Sequence, residues 1–177
     1  RELPNYQVFD ERRYFTPGHG VGVFEVEGVR VGLLICEDAW FDEPARLARD
    51  AGAQVLAVLN ASPFHAGKGP ERELRMRERV ADCGLPLIYA HLVGGQDEVI
   101  FEGRSFALNA QGDTVARAEG FREADLAVQA TVAPNGVELS AADDALVPLA
   151  SADAELWDAL VLGVRDYLGK NGFKGAI

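Results

Sequence analysis

At 177 residues the chain is long enough for one domain with a core of its own and too short for two of ordinary size. Apolar residues at 48% and charged residues at 25% suit a folded globular chain and exclude a disordered or collagen-like one. The 17 Lys and Arg against 28 Asp and Glu give a formal charge of -11, which repels a phosphate backbone, so no nucleic acid is expected as a partner. No stretch nears the roughly 18 apolar residues of a spanning helix and no signal-peptide core opens the chain, so no membrane partner is expected and the cytoplasm is the expected location. Cys36 and Cys83 are too few for a disulfide framework, and with three scattered histidines they have no metal-ligand spacing.

The opening to about Gly18 lacks periodicity and holds Leu-Pro-Asn and Thr-Pro-Gly turn signals, the pattern of a long ordered loop. From Gly22 an alternating run, a turn at Glu27-Gly28 and the apolar run Val29 to Ile35 predict an edge strand feeding a strand buried on both faces. Residues 43–51 have helical spacing with Gly52 at the C-terminal stop, and Gln54 to Leu59 is a second apolar run, so strand, helix and strand fit one right-handed crossover. Cys36 and the residues from Asn60 to Phe64 then share the rim where parallel strands end, the usual ligand side of such sheets. Glu71 to Cys83 predicts a helix whose mixed charges form a solvated, salt-bridged face. Leu85 to His91 is a third buried strand, Gly94-Gly95 interrupts the pattern, and 98–117 reads as strands with a hairpin turn at Asn109 to Gly112. An alternating run ends near 133, residues 134–153 read as a surface linker, and Leu156, Trp157, Leu160, Val161, Val164, Tyr167 and Leu168 form the stripe of an amphipathic helix with no partner visible in the sequence.

Cys36 follows a buried strand at a turn whose freed N–H groups can lower a thiol's pKa and hold an oxyanion, which is a nucleophile's position. A cysteine at a strand end can equally be a small buried hydrophobe. Cys83, between a charged helix and Gly84, fits that structural role. His65 and His91 admit a Cys-His pair only if an imidazole reaches Cys36.

Four patterns in order, LPNYQVFDERRYFTPG, LLICEDAW, NASPF and VGGQDEVIFEGRSF, resemble the glutaminase domain of the glutamine-dependent NAD synthetases, which belongs to the nitrilase-like amidohydrolase superfamily. The tail ALVLGVRDYLGKNGFKGAI resembles the first helix of their ATP-using synthetase domain. The resemblance implies an α/β fold, a partial nitrilase-like α-β-β-α sandwich lacking its N-terminal part. It divides the chain into a glutaminase portion over 1–133, a linker over 134–153 and one synthetase helix over 154–177. It implies that Cys36 attacks the amide of glutamine and leaves a thioester, that Glu37 contributes its N–H to the oxyanion hole, and that Glu11 hydrogen-bonds within the catalytic cluster. Tyr6, Ser62 and Lys68 match positions that contact glutamine. The family's lysine and general-base glutamate fall before Arg1, so these 177 residues alone are expected to be nearly inert. The glutaminase step needs no cofactor, whereas ATP and Mg2+ belong to the synthetase domain of the same chain. A homo-oligomer is also implied. Glu11 beside Arg12 and Arg13 can equally be a solvated loop carboxylate, Tyr6 loop packing and Lys68 a surface cation. A stand-alone amidase, carbamoylase or nitrilase, or a non-catalytic assembly module, are the alternative functions.

Overall fold

The alternating run forms β1 (Gly22–Val26), and Glu27 and Gly28 turn it into β2 (Val29–Ile35) with Val26 opposite Val29. Both turn residues have positive φ, 48° and 81°, the two-residue hairpin geometry that matches strand twist and that only glycine adopts without strain. In this computed structural model, which describes residues 1–6, 9–142 and 145–175, β2, β3 (Val55–Asn60) and β4 (Leu87–His91) run parallel, with Ile35 opposite Leu59 and Asn60 opposite His91. Gln7 and Val8 of the opening loop, Asp143 and Asp144 of the expected linker, and Ala176 and Ile177 of the expected synthetase segment lie outside the described residues. Helices α1 (Asp42–Asp50) and α2 (Lys68–Cys83) occupy the two crossovers. α2 begins three residues before Glu71, because Pro70 lies in the first turn, where no intrahelical N–H bond is lost.

The chain then leaves the sheet for an antiparallel ribbon, β5 (Val93–Gln96) and β6 (Val99–Glu102), so the Gly94-Gly95 pair lies inside a strand. It returns through β7 (Phe106–Leu108) and β8 (Thr114–Arg117) to complete a six-stranded mixed sheet in the order β1, β2, β3, β4, β7, β8. One face of that sheet carries Leu34, Leu56, Val58, Leu87 and Tyr89 against Ala45, Ala48, Met76 and Val80 of α1 and α2. Gly32 lets α1 approach, since a Cβ there would stand 2.9 Å from those of Ala48 and Ala53. The α/β class and the helix-on-sheet layering agree with the expectation from the sequence. Among the described residues no helix is long and apolar enough to cross a membrane.

Four expectations need correction. The opposite face of the sheet is covered at one end only, so β2 is not buried on both faces, and Phe24, Ile35 and Leu59 are about half exposed. The segment read as a linker from 134 opens with a strand: β9 (Gln129–Ala133) and β10 (Gly136–Ser140) form a hairpin whose Val137 and Leu139 pack on Val55, Ala107 and Ala116. The charged run of α2 is not wholly solvated, because Arg72 and Glu73 are buried and paired with Glu102 and Arg117. Helix α3 (Ala152–Lys170) has a partner, the β5–β6 ribbon, and the residues it buries are Glu155, Ala159 and Leu162 rather than the apolar stripe.

Candidate active site

The sharp exit from β2 sets the site. Cys36 opens a single helical turn (Cys36–Trp40) at φ 46°, a left-handed conformation rare for a side-chain-bearing residue. The backbone amides of Glu37 and Ala61 lie beside its sulfur and favour its thiolate. Asp38, buried two residues on, fixes the turn by accepting from its own strand end at Ile35 N (3.2 Å) and from the opening loop at Glu2 N (2.8 Å). The loop carrying Tyr6 is thereby fastened beside the cysteine.

A cavity of about 690 Å³ opens over Cys36, lined by Tyr6, Glu37, Trp40, Ser62, Phe64 and Lys68 among others, and its size suits a small polar metabolite. Five of the six site residues singled out by sequence therefore meet in one place. Glu11 is the sixth; it is half-buried in the turn Glu11–Arg13 and is not among the lining residues. Tyr6 donates its hydroxyl proton to the Glu37 carboxylate, at 3.1 and 3.0 Å to the two oxygens. Burial and that carboxylate push the phenol up to about 12, so it stays a neutral donor. Lys68 Nζ sits 4.1 Å from the Trp40 ring centroid and 3.0 Å from Glu71 Oε2, one cation steadied by a ring face and a carboxylate. Phe9 and Phe41 complete the aromatic lining.

Burial pushes the Cys36 thiol up, and Glu37 adds to this, while the amides of Ala61 and Glu37 and the Arg72 guanidinium oppose it. A thiol so placed needs a base to become a nucleophile at neutral pH. Among the described residues no hydrogen bond joins His65 or His91 to Cys36. His91 is buried between the carbonyls of Gly103 (Nδ1, 2.8 Å) and Ser62 (Nε2, 3.1 Å), and burial beside Arg72 pulls it down to about 4 despite those acceptors. His65 faces the cavity with Nδ1 3.4 Å from Ala66 O. Cys83 is buried and donates to Arg79 O, in keeping with a structural role.

Sequence reasoning missed Arg72 and Asp38. Arg72 lies one helical turn beyond Lys68, on the inner side of α2, and a charged residue repeating at that spacing was the available signal. Asp38 had only its position two residues past a strand end.

The sequence pattern of carbon-nitrogen hydrolase matches residues 2–140. The chain is 40% identical over 183 residues to the glutamine-dependent NAD(+) synthetase of Xanthomonas campestris pv. campestris, covering 98% of this chain and 32% of that one. The solved glutamine-dependent NAD+ synthetase of Acinetobacter baumannii, in complex with ADP, superposes with a TM-score of 0.87 at 35% identity over 99% of this chain and 32% of that one. A carbon-nitrogen hydrolase from Helicobacter pylori G27 shares the fold, with a TM-score of 0.63 at 23% identity over 99% of this chain and 60% of that one. The chain thus spans about a third of the length of the synthetases it matches. Because the matched pattern takes in the Cys36 turn and the whole cavity around it, the chain belongs to the carbon-nitrogen hydrolase family.

Proposed function

We propose that this chain carries the cysteine half of a glutaminase that feeds ammonia to NAD synthesis. The observation that carries the reading is the Cys36 sulfur at a left-handed strand exit, with two backbone amides beside it and a cavity of about 690 Å³ above it, roomy enough for an amino acid. The names of the relatives support glutamine as the amide donor. In this reading Cys36 Sγ attacks the side-chain carbonyl carbon of glutamine while the N–H groups of Glu37 and Ala61 receive the developing oxyanion. The C–N bond breaks, ammonia leaves with a proton supplied by the catalytic acid, and a γ-glutamyl thioester remains. Water cleaves it to glutamate and regenerates the thiol. Tyr6, Ser62 and Lys68 hold the amino-acid end: a neutral phenol, a hydroxyl and a cation suit an α-amino acid's two charges. The base and acid come from the lysine and glutamate that the resemblance places before Arg1, with Glu11 supporting them.

Residues 1–140 form the hydrolase portion, and α3 leads into a synthetase domain that holds ATP and Mg2+ and amidates nicotinic acid adenine dinucleotide. Among the described residues no group of His, Cys, Asp and Glu could hold a metal, so this chain's own residues do not fit the magnesium and no step here passes through it. The reading also takes the protein as a cytoplasmic homo-oligomer.

The test uses the chain with whatever its gene encodes on either side. Labelling Cys36 with a glutamine-mimicking electrophile abolishes glutamine-dependent NAD synthesis and leaves ammonia-dependent synthesis intact. Loss of both activities contradicts the division of labour. Faster ammonia release from short aliphatic amides than from glutamine favours a stand-alone amidase instead.

A further inference from the structure

We propose that Arg72 is the positioning residue of this site, and that it acts by fixing Ser62 as a donor directed into the cavity. The inference rests on the reading of the cavity as an amino-acid site and adds how its hydroxyl is aimed. Arg72 is 2% exposed and spends its fork on one loop. Its Nε donates to Ser62 Oγ at 3.1 Å, and its Nη2 donates to Ser62 Oγ at 2.9 Å, to Ser62 O at 3.1 Å and to Pro63 O at 3.2 Å. Asn60 Nδ2 lies 3.0 Å from the same Ser62 Oγ.

A hydroxyl oxygen has two lone pairs and one proton. The two N–H groups of Arg72 already fill the two lone pairs of Ser62 Oγ, so the hydroxyl has only its own proton to give, either to the Asn60 carboxamide, whose buried Oδ1 has no partner among the described residues, or to the cavity that Ser62 lines. Turned to the cavity, Ser62 donates to a ligand oxygen, and the ligand group that accepts is a carboxylate or carbonyl. A lysine at position 72 keeps the charge but not the planar fork that reaches Oγ, Ser62 O and Pro63 O together. Glu102 of the β5–β6 ribbon anchors the opposite end of the guanidinium, and the pair is buried on both sides.

The charged and titratable groups facing Cys36 are Glu37 from its own turn, Tyr6 from the opening loop, Arg72 from α2 and Tyr89 from β4, with His65, Lys68 and Arg75 lining the same cavity. Arg72 is the buried cation among them. Its removal together with Glu102 takes away one charge of each sign, of which the Arg72 charge is the one that favours the thiolate.

The experiment is a double-mutant cycle in the chain as its gene encodes it, read as KM and kcat for glutamine and as the pH dependence of Cys36 alkylation by iodoacetamide. Arg72→Lys is expected to raise KM about tenfold, the loss of one well-placed hydrogen bond to a charged group, with a smaller change in kcat. In a Ser62→Ala background the same change is expected to have little further effect on KM, because the hydroxyl it aims is gone. The paired change Arg72→Met with Glu102→Leu, which leaves no lone buried charge, is expected to raise the alkylation midpoint, whereas Arg72→Lys keeps it. If Arg72→Lys yields little folded chain, Arg72→Gln with Glu102→Gln takes its place in the cycle. An unchanged KM in the single variant, or a full-sized KM effect in the Ser62→Ala background, overturns the proposal. A wild-type chain that does not hydrolyse glutamine overturns the substrate reading instead; the alkylation profiles then decide whether Arg72 bears on the site, and coincident midpoints for wild type and the Met/Leu pair overturn it.

Discussion

Cys36 sits in a backbone conformation that costs a non-glycine residue on the order of 1–3 kcal/mol, held because Asp38 ties the turn to both β2 and the opening loop. The place of Cys36 at a strand exit was legible from the apolar run that ends at Ile35, but its reading as a nucleophile rather than a small buried hydrophobe came only from the resemblance of the motifs around it. The second amide beside its sulfur was not legible: Ala61 follows the end of the next parallel strand, and only the register of β2 on β3 brings the two together. His91 gives a prediction at the same scale. Its folded value near 4 lies below the ordinary 6.5, so the unfolded chain binds the proton first as pH falls. Stability contributed by the neutral ring is complete above about pH 6.5 and is lost down to about pH 4, roughly 3 kcal/mol in all. Urea titrations at pH 7 and pH 4.5 check this: the wild type loses more stability between them than a His91→Gln variant, and equal losses count against it.

Among the elements, α2 holds the sheet with charges as well as with Met76 and Val80. Glu73 is 4% exposed and grips Arg117 of β8, and Arg77 and the Thr114 hydroxyl donate to the same carboxylate. Glu73→Ala leaves Arg117 buried without its partner, at an expected cost of about 3–5 kcal/mol in chemical denaturation, and a cost under about 1 kcal/mol would contradict the burial. The sequence could not separate these residues from their solvated neighbours, since Glu102 and Arg117 lie 30 and 44 residues away in strands. β5 and β10 were hidden for a different reason. Gly94-Gly95 and Pro134-Asn135-Gly136 are breaker signals locally, yet Gly95 is needed where it is: a Cβ there would stand 3.3 Å from Gly163 Cα and from Asp166 Cβ on α3. Asp166 accepts from Gly95 N at 2.8 Å, and Arg104 pairs with Glu155 at the other end of the helix. Gly95→Val is therefore expected to undock α3, seen as faster hydrogen exchange confined to 152–170 and the ribbon; exchange unchanged there would refute the clasp.

For the molecule as a whole, the edge hairpin, the parallel pair β2 and β3 with its crossover helix, the buried strand β4 and the rim carrying Cys36 and Asn60 follow from apolar runs and crossover rules, which is why they could be read in advance. What faces what could not. The apolar stripe of α3 looked like the buried side, but Leu156, Trp157, Leu160, Val161, Val164 and Tyr167 are 46–68% exposed, and the docked side is the one with small and charged residues. Together with Phe24, Ile35 and Leu59 on the sheet, this leaves apolar surface beyond the scattered residues usual on a monomer. The 177-residue chain on its own is predicted to bind a hydrophobic dye, and Trp157→Lys with Leu160→Glu to reduce the signal without changing far-UV circular dichroism. Dye binding equal in the two chains would locate the exposed surface elsewhere.

The central claim is that one sulfur captures a carboxamide carbon, and the most direct measurement is a rapid acid quench of the chain, as its gene encodes it, mixed with isotopically labelled glutamine. Peptide mapping by mass spectrometry should find a labelled γ-glutamyl group on the peptide containing Cys36, none on that containing Cys83, and none at all in a Cys36→Ala variant. Label absent from the Cys36 peptide while ammonia is released, or ammonia release persisting in the variant, would contradict the account.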